Sequence, residues 1–290
     1  MLKIRHSLLI VFTLICLTSH SQVPLRVMTF NIRYDNPSDS IFNWDHRKAM
    51  VLDVFRNHKP DIAGLQEVLY SQLQFMKDSL KEYSWFGVGR DDGGKKGEFV
   101  PICWNSSRFV KVDGAYFWLS KTPEVPGSRS WKSGCSRIVT WVMLRDRQTM
   151  ALFFVFNTHF DNASEEARTE SARLLRKRID ETCSIRPVIL TGDFNCDSSS
   201  MAYKILTDQR YAGFFTDCRS TTAGDDQHPN YSYVGFPFSP KQGDLIDFVF
   251  KRNARPFMDS GYRIVTDNRE GRYPSDHLPV IADFNIRASK

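Results

Sequence analysis

Apolar and polar positions along the chain alternate between a strand period and a helix period. Leu25-Arg26-Val27-Met28-Thr29-Phe30 is rich in β-branched and aromatic residues and predicts a strand. Residues 45–58 take helical spacing, with Ala49, Val51, Leu52 and Phe55 on one apolar side and Pro60 just past the end. A second strand is predicted over residues 61–66 and a second helix over 70–81. Strands then follow near residues 83–90, 99–104, 108–112, 114–119, 138–145 and 151–159. Residues 164–183 predict the longest helix, with Ser164 at its start and Glu165 and Glu166 in the first turn, where acids favour the helix dipole. Pro187-Val188-Ile189-Leu190 reads as a buried strand, 199–208 as a helix, and 245–250 and 279–284 as closing strands. So many strands with so few helices predict an α/β fold of two stacked sheets with helices outside. No repeat, low-complexity tract or linker divides the pattern, so one domain is expected over residues 22–290.

The first 21 residues depart from it. Lys3, Arg5 and His6 form a short basic stretch, followed by an apolar run from about Leu8 to Leu17 that is too short to span a bilayer. Ser19 and Ser21 supply small residues for cleavage before Gln22. The pattern predicts a signal peptide over residues 1–21 and export to the periplasm or beyond, with an uncleaved interfacial helix as the alternative.

Composition changes the picture little. A chain of 290 residues, 41% hydrophobic and 25% charged, can bury a large core, which argues against global disorder. Losing Lys3 and Arg5 with the leader lowers the formal charge from +6 to +4, an excess that suits an anionic substrate without requiring one. Five cysteines remain, Cys103, Cys135, Cys183, Cys196 and Cys218; their odd number and lack of paired spacing argue against a zinc cluster and leave a free thiol.

The chemistry lies at the downstream ends of the strands, where scaffolds present reactive groups. Asn31 ends the first strand, Glu67 the second and His159 the Phe-rich one; Asp193 and Asn195 follow the Ile-Leu run. Asp247 sits in Ile246-Asp247-Phe248, and Asp276-His277 precede the last strand. Singly, each has a plain structural reading: Asn31 and Gly192-Asp193-Phe194-Asn195 suit turns, Glu67 suits a helix cap, and His159 suits a satisfied core histidine. Together they make an oxygen-rich set suited to a hard cation such as Mg2+ or Mn2+.

In order and context, the set resembles the endonuclease/exonuclease/phosphatase superfamily, which includes deoxyribonuclease I, exonuclease III, sphingomyelinases, inositol polyphosphate phosphatases and deadenylases. The resemblance runs from Met28-Thr29-Phe30-Asn31 through Gln66-Glu67-Val68, Asn157-Thr158-His159, Gly192-Asp193-Phe194-Asn195 and Ile246-Asp247-Phe248 to Ser275-Asp276-His277-Leu278-Pro279-Val280. Asn31-Ile32-Arg33-Tyr34-Asp35, Trp44 with Arg47, Gly89-Arg90-Asp91-Asp92-Gly93 and Phe117-Trp118-Leu119-Ser120 look like its extracytoplasmic bacterial members, which are most similar to the deadenylase-like branch.

The resemblance implies a four-layer α/β sandwich, two mostly antiparallel sheets face to face with helices outside, and a metal-dependent phosphoric ester hydrolase. It implies that Asn31 and Glu67 bind the metal and that Asp276 adds charge to that site. Asp193 would deprotonate the attacking water and Asn195 would hold the phosphate or the water. His277, supported by Asp247, would donate to a phosphoryl oxygen, with His159 as a second donor that Glu98 supports. Arg90, Lys95, Lys96 and Arg137 are candidates for phosphate contacts, and Tyr233 for stacking a base. No basic stripe of the kind that tracks a duplex is visible, so a phosphodiester such as a single-stranded nucleic acid or a small diester is the favoured substrate, with phosphomonoesters and lipid headgroups as alternatives. A lipid enzyme would show an exposed apolar hairpin, for which Phe236-Pro237-Phe238 is the weak candidate. A non-catalytic phospholigand-binding protein would be expected to have lost Glu67, Asp193 or His277, and all are present.

Overall fold

The computed structural model describes residues 22–183, 185–211, 213–222, 229–236 and 245–287. The segment read as a signal peptide, and Pro237 and Phe238 of the apolar hairpin candidate, lie outside the described residues. Among the described residues twelve strands form: β1 (Gln22–Asn31), β2 (Ile62–Gln66), β3 (Tyr83–Phe86), β4 (Ile102–Asn105), β5 (Phe109–Trp118), β6 (Ile138–Asp146), β7 (Leu152–His159), β8 (Val188–Asp193), β9 (Thr216–Asp217), β10 (Asp247–Arg252), β11 (Phe257–Ile264) and β12 (Val280–Arg287). The α-helices are α1 (Trp44–His58), α2 (Tyr70–Ser79), α3 (Glu165–Cys183), α4 (Met201–Thr207) and the single turn α5 (Cys218–Thr221), and Pro37–Phe42 forms a short 3-10 segment.

The strands make two six-stranded sheets, ordered β11-β12-β1-β2-β4-β3 and β5-β6-β7-β8-β10-β9. One pair in each sheet is parallel, β1 with β2 and β7 with β8, and the remaining pairs are antiparallel. Alternation along β1 shows why its sequence is apolar on both faces. Leu25 and Val27 join Val155, Leu190 and Phe248 in one core. Met28 and Phe30 join Val51 and Phe55 of α1 and Leu73 and Met76 of α2 in a second. Ala172, Leu175 and Ile179 of α3 pack with Ala202 and Leu206 of α4 in the first core. The result is the expected sandwich of two sheets with helices outside.

A buried polar seam crosses between the sheets beneath the strand ends. Gln66 Nε2 donates to Asn157 Oδ1 at 2.7 Å, Asn157 Nδ2 donates to the carbonyls of Leu65 and Pro101 at 2.7 and 3.0 Å, and Thr191 Oγ1 donates to Asn157 Oδ1 at 3.1 Å. The sheets approach so closely here that a Cβ on Gly64 would fall 2.1 Å from Thr191 Oγ1, so only glycine fits. Unpaired polar groups at this depth are costly, so the seam fixes how the two sheets slide against each other.

Several boundaries differ from the sequence expectation. The strand expected over 83–90 stops at Phe86, because Gly87 turns at φ 154° against Pro101. The two strands expected at 108–112 and 114–119 are one, Phe109–Trp118, with a register shift between Lys111 and Asp113. The helix expected over 199–208 spans Met201–Thr207, with Ser200 Oγ accepting from the Tyr203 N–H at 3.2 Å as its cap. The strands β9 and β11 and the turn α5 were not expected. Among the described residues no helix is long and apolar enough to cross a membrane.

Candidate active site

Pairing register carries the predicted residues to one place. The parallel pairs set Asn31 level with Gln66, next to Glu67, and His159 level with Asp193. The antiparallel pairing of β8 with β10 sets Asp247 opposite Asp193. Ser275-Asp276-His277 arrives from the loop before β12, where Ser275 Oγ donates to the Asn31 carbonyl at 2.7 Å. Arg33, Glu67 and Asn195 take left-handed backbone (φ 57°, 58° and 48°), a conformation that costs these side chains roughly 1 kcal/mol or more and is held by surrounding bonds. At Glu67 those are the paired bridges between Val68 and Phe99, at 2.7 and 3.3 Å.

On the first sheet's side, Asn31 Nδ2 donates to Glu67 Oε1 at 3.1 Å and to Asp193 Oδ2 at 2.9 Å. Glu67 Oε2 accepts from the Tyr34 N–H at 3.2 Å. Arg33 Nη1 stands 3.8 Å from both Glu67 Oε2 and Asp276 Oδ2. Beneath them Arg47, 1% exposed, donates to the carbonyls of Phe42, Ile32, Pro274 and Arg33, tying the loop after β1 to the loop before β12.

On the second sheet's side, His277 Nδ1 lies 2.9 Å from Asp247 Oδ2, which also accepts from Ser232 Oγ at 2.6 Å. His277 Nε2 is 3.8 Å and His159 Nε2 3.4 Å from Asp193 Oδ2. The Asn195 N–H donates to Asp193 Oδ1 at 2.9 Å. Asn195 Nδ2 donates to the Phe160 carbonyl at 3.0 Å and meets His159 Nε2 at 2.9 Å.

Burial sets the charges. It raises the Asp193 carboxyl to about 7, helped by the neighbouring Asp247 charge and opposed by His277 and the Asn31 amide. Burial opposes the charged form of His277 as well, but Asp247 and Asp193 overcome it and lift the imidazole to about 10. His159 moves the other way: burial, then Arg137, Arg90 and His277, hold it well below the usual range, so it is neutral. Burial also raises Asp276.

His159 was expected to donate to the developing charge; a neutral ring whose Nε2 accepts the second Asn195 amide proton would instead hold Asn195. The structure corrects the expectation for Glu98. Its Oε2 accepts from Arg90 Nη1 at 2.6 Å, and His159 Nδ1 has no hydrogen-bond partner among the described residues. The guanidinium is the stronger partner for a carboxylate that burial already pushes up.

Glu67, Asp193, Asp276, His277, Arg90 and Arg137 line one cavity of about 480 Å³, which Tyr233 and Glu98 also face. Arg137 Nη2 donates to Asn162 Oδ1 at 3.1 Å and its Nε lies 3.6 Å from Asp161 Oδ2, while its Nη1 is buried without a hydrogen-bond partner among the described residues. The Tyr233 ring sits edge-on to His277, centroids 5.0 Å apart. Lys95, by contrast, lies over the Tyr70 ring at 4.7 Å and is not part of the cavity wall. The sequence reading gave no role to Arg33, Tyr34, Cys135, Asn162 and Ile246, which also line the cavity; adjacency to the motifs was their one signal.

Two groupings offer metal ligands. Asp193, Asp247 and His277 bring three ligand atoms within 4.8 Å of one another. There, however, the Asp247 carboxylate already receives His277 Nδ1 and Ser232, and the raised imidazole supplies the counter-charge. Glu67 and Asp276, with Asn31 beside them, are the better fit to a hard cation: two carboxylates that face the cavity, with Arg33 Nη1 3.8 Å from each and hydrogen-bonded to neither.

Residues 28–277 match the Endonuclease/Exonuclease/phosphatase family. Among curated relatives, an uncharacterised protein of Acanthamoeba polyphaga mimivirus is 28% identical over 90% of this chain and all of its own length. Nocturnin of Mus musculus is 24% identical over 93% of this chain and 67% of its own, a deadenylase-like relationship. The chain spans about half the length of the fungal CCR4-Not 3'-5'-exoribonuclease subunits that it also matches. Among solved structures, an endonuclease/exonuclease/phosphatase from Bacteroides vulgatus is 36% identical, covers 91% of this chain and 100% of its own, and superposes with a TM-score of 0.84. The Bacteroides thetaiotaomicron mannosyl-6-phosphatase is 33% identical, with 90% and 99% coverage and a TM-score of 0.80.

Proposed function

Because the chain belongs to the Endonuclease/Exonuclease/phosphatase family, whose members hydrolyse phosphoric esters, we propose that it is a Mg2+- or Mn2+-dependent hydrolase that uses Asp193 to deprotonate an attacking water in line with the leaving group. One observation carries this reading: a buried carboxyl raised to about 7 lies 3.8 Å from a buried imidazole raised to about 10. At neutral pH the first can take a proton while the second still carries one, which is the division a general base and a cationic donor need.

Glu67, Asp276 and Asn31 would hold the cation, which when bound supplies Lewis-acid stabilisation of phosphoryl charge. Asp247 keeps the His277 proton on Nδ1 and leaves Nε2 toward the phosphoryl oxygen. Asn195, held by His159 and Phe160, orients the water or the phosphate.

The substrate best supported is a compact phosphomonoester on a hydroxylated carrier such as a sugar. A cavity of about 480 Å³ suits a sugar-sized group. Arg137 Nη1, buried on the cavity wall without a hydrogen-bond partner among the described residues, suits the second negative charge that a monoester has and a diester lacks. The 33% identity to a mannosyl-6-phosphatase, over nearly both chains, points the same way. The phosphodiester favoured by the sequence is the second reading, and Tyr233 beside His277, able to stack a base, is what supports it.

Metal-free mature protein, with Mn2+ restored, tests both on a hexose 6-phosphate, p-nitrophenyl phosphate, bis-p-nitrophenyl phosphate and a short single-stranded RNA. Faster turnover of the monoesters is expected; preference for the bis ester or RNA selects the second reading, and activity that survives chelation rejects the cation. Export belongs to the same proposal, and the mass of the protein recovered outside the cytoplasm should correspond to a chain starting at Gln22.

A further inference from the structure

Arg33 occupies an unusual position for a cation. Its Nε and Nη2 grip Asp39 at 2.9 and 3.1 Å, and Asp39 is itself held by Asn36 Nδ2 at 3.0 Å. The guanidinium lies over the Tyr34 ring at 4.6 Å. Its backbone is equally fixed: the N–H donates to Asn31 Oδ1 at 3.0 Å, and the carbonyl accepts from Gln72 Nε2 and Arg47 Nη2 at 3.0 and 3.2 Å. The remaining nitrogen, Nη1, is left between two carboxylates, 3.8 Å from Glu67 and 3.8 Å from Asp276, too long for a hydrogen bond to either.

We infer that Arg33 is a resident counter-charge that holds Glu67 and Asp276 together before the divalent cation arrives and weakens that cation's binding once it is there. The inference rests on the cation reading above. A bidentate fork to Asp39 keeps the guanidinium from collapsing onto either carboxylate, and Arg33 cannot shed its proton at any ordinary pH. Two carboxylates this close would repel without a positive neighbour, so the apo site stays assembled. The same fixed charge repels a second cation at these ligands, through a partly buried region that screens it less than bulk water. The consequence is a reversible, moderate metal affinity in place of a permanent one.

Calorimetric titration of Mn2+ into metal-free wild type, Arg33→Met, Arg33→Gln and Glu67→Gln tests this without any substrate. Arg33→Met and Arg33→Gln should bind Mn2+ roughly tenfold more tightly than wild type, a change of about 1.4 kcal/mol. Metal-free melting should move the other way: the Arg33 variants melt below wild type, and Mn2+ raises their Tm by more than it raises that of wild type. Glu67→Gln should lose the binding heat. Unchanged or weaker binding in both Arg33 variants, at a wild-type Mn2+ affinity that is measurable, overturns the role of Arg33 and leaves the hydrolase proposal standing. Absence of Mn2+ binding in wild type overturns both. Arg33→Gln keeps a hydrogen-bonding group for Asp39, so a folding defect confined to Arg33→Met still leaves a reading.

Discussion

The two sheets contribute unlike halves to one cavity. The first brings the buried amide of Asn31 and the carboxylates of Glu67 and Asp276, which face the cavity beside a fixed guanidinium. The second brings His159, Asp193, Asn195 and Asp247, packed so that burial decides who carries a proton. His277 belongs by chain to the first and by hydrogen bond to the second, through Asp247. The difference is one of partner. Glu67 and Asp276 share a guanidinium 3.8 Å from each, whereas Asp193, sealed opposite Asp247, rises toward neutrality, as the base of the proposed chemistry must. One amide, Asn31, touches both halves, at Glu67 and at Asp193.

Breaking either half should cost the most, and in separable ways. Asp193→Asn should lower kcat by about 10³-fold, within the range of a lost general base, while Mn2+ binding by calorimetry stays intact. Glu67→Gln should lower activity as much but lose the binding. An Asp193→Asn protein that has also lost Mn2+ would merge the two halves and end the comparison.

Next in size is the link between them. Activity against pH should rise as Asp193 ionises near 7 and fall as His277 gives up its proton near 10. The Asp247 charge raises both groups, so Asp247→Asn should move both limbs of the profile to lower pH and reduce kcat by about 10²-fold. A profile that keeps its limbs in Asp247→Asn would detach this pair from the reaction.

The same shifts have a smaller signature in stability. Both folded-state values lie above the unfolded ones, so each group favours the fold fully below its unfolded pKa and loses that contribution as pH rises through the folded one. For Asp193 the window runs from about 4 to about 7, and for His277 from about 6.5 to about 10. Metal-free Asp193→Asn should therefore melt higher than wild type at pH 8, by roughly 2–4 °C for each kcal/mol recovered, and the gap should close at pH 4. Stability and activity would then oppose each other at this carboxyl, as they do where function holds a charge in a dry place.

How much of this was legible depended on whether a residue sits where its chain neighbours put it. Asn31, Glu67, His159 and Asp193 end apolar strands, and strand period together with register carries them to one sheet end. Strand β11 was not legible because Gly261 and the register shift after Asp259 interrupt its alternation, and β9 is two residues long. The roles of Arg33 and Arg47 were not legible either. Both lie in motifs that stood out, but what they do depends on partners from Asp39 to Asp276 and Pro274, brought close only by the fold. The misassigned partner of His159 has the same origin: Glu98 has two candidate neighbours, and only packing decides that Arg90 takes it.

That last pair supplies the smallest effect. Arg90 and Glu98 are ion-paired on the cavity wall and neither is assigned to the water or the metal in the proposed chemistry, so they should act on binding and not on the chemical step. Glu98→Gln leaves the volume unchanged and weakens the clamp on Arg90. If the wall recognises hydroxyls of a sugar carrier, KM for a hexose 6-phosphate should rise by roughly 10-fold with kcat nearly unchanged, the pattern of lost uniform binding. KM for p-nitrophenyl phosphate, which has no hydroxyls to recognise, should scarcely move. Equal losses on the two substrates would instead assign the pair to the phosphate itself, and the two halves would then differ in charge alone and not in what part of the substrate they hold.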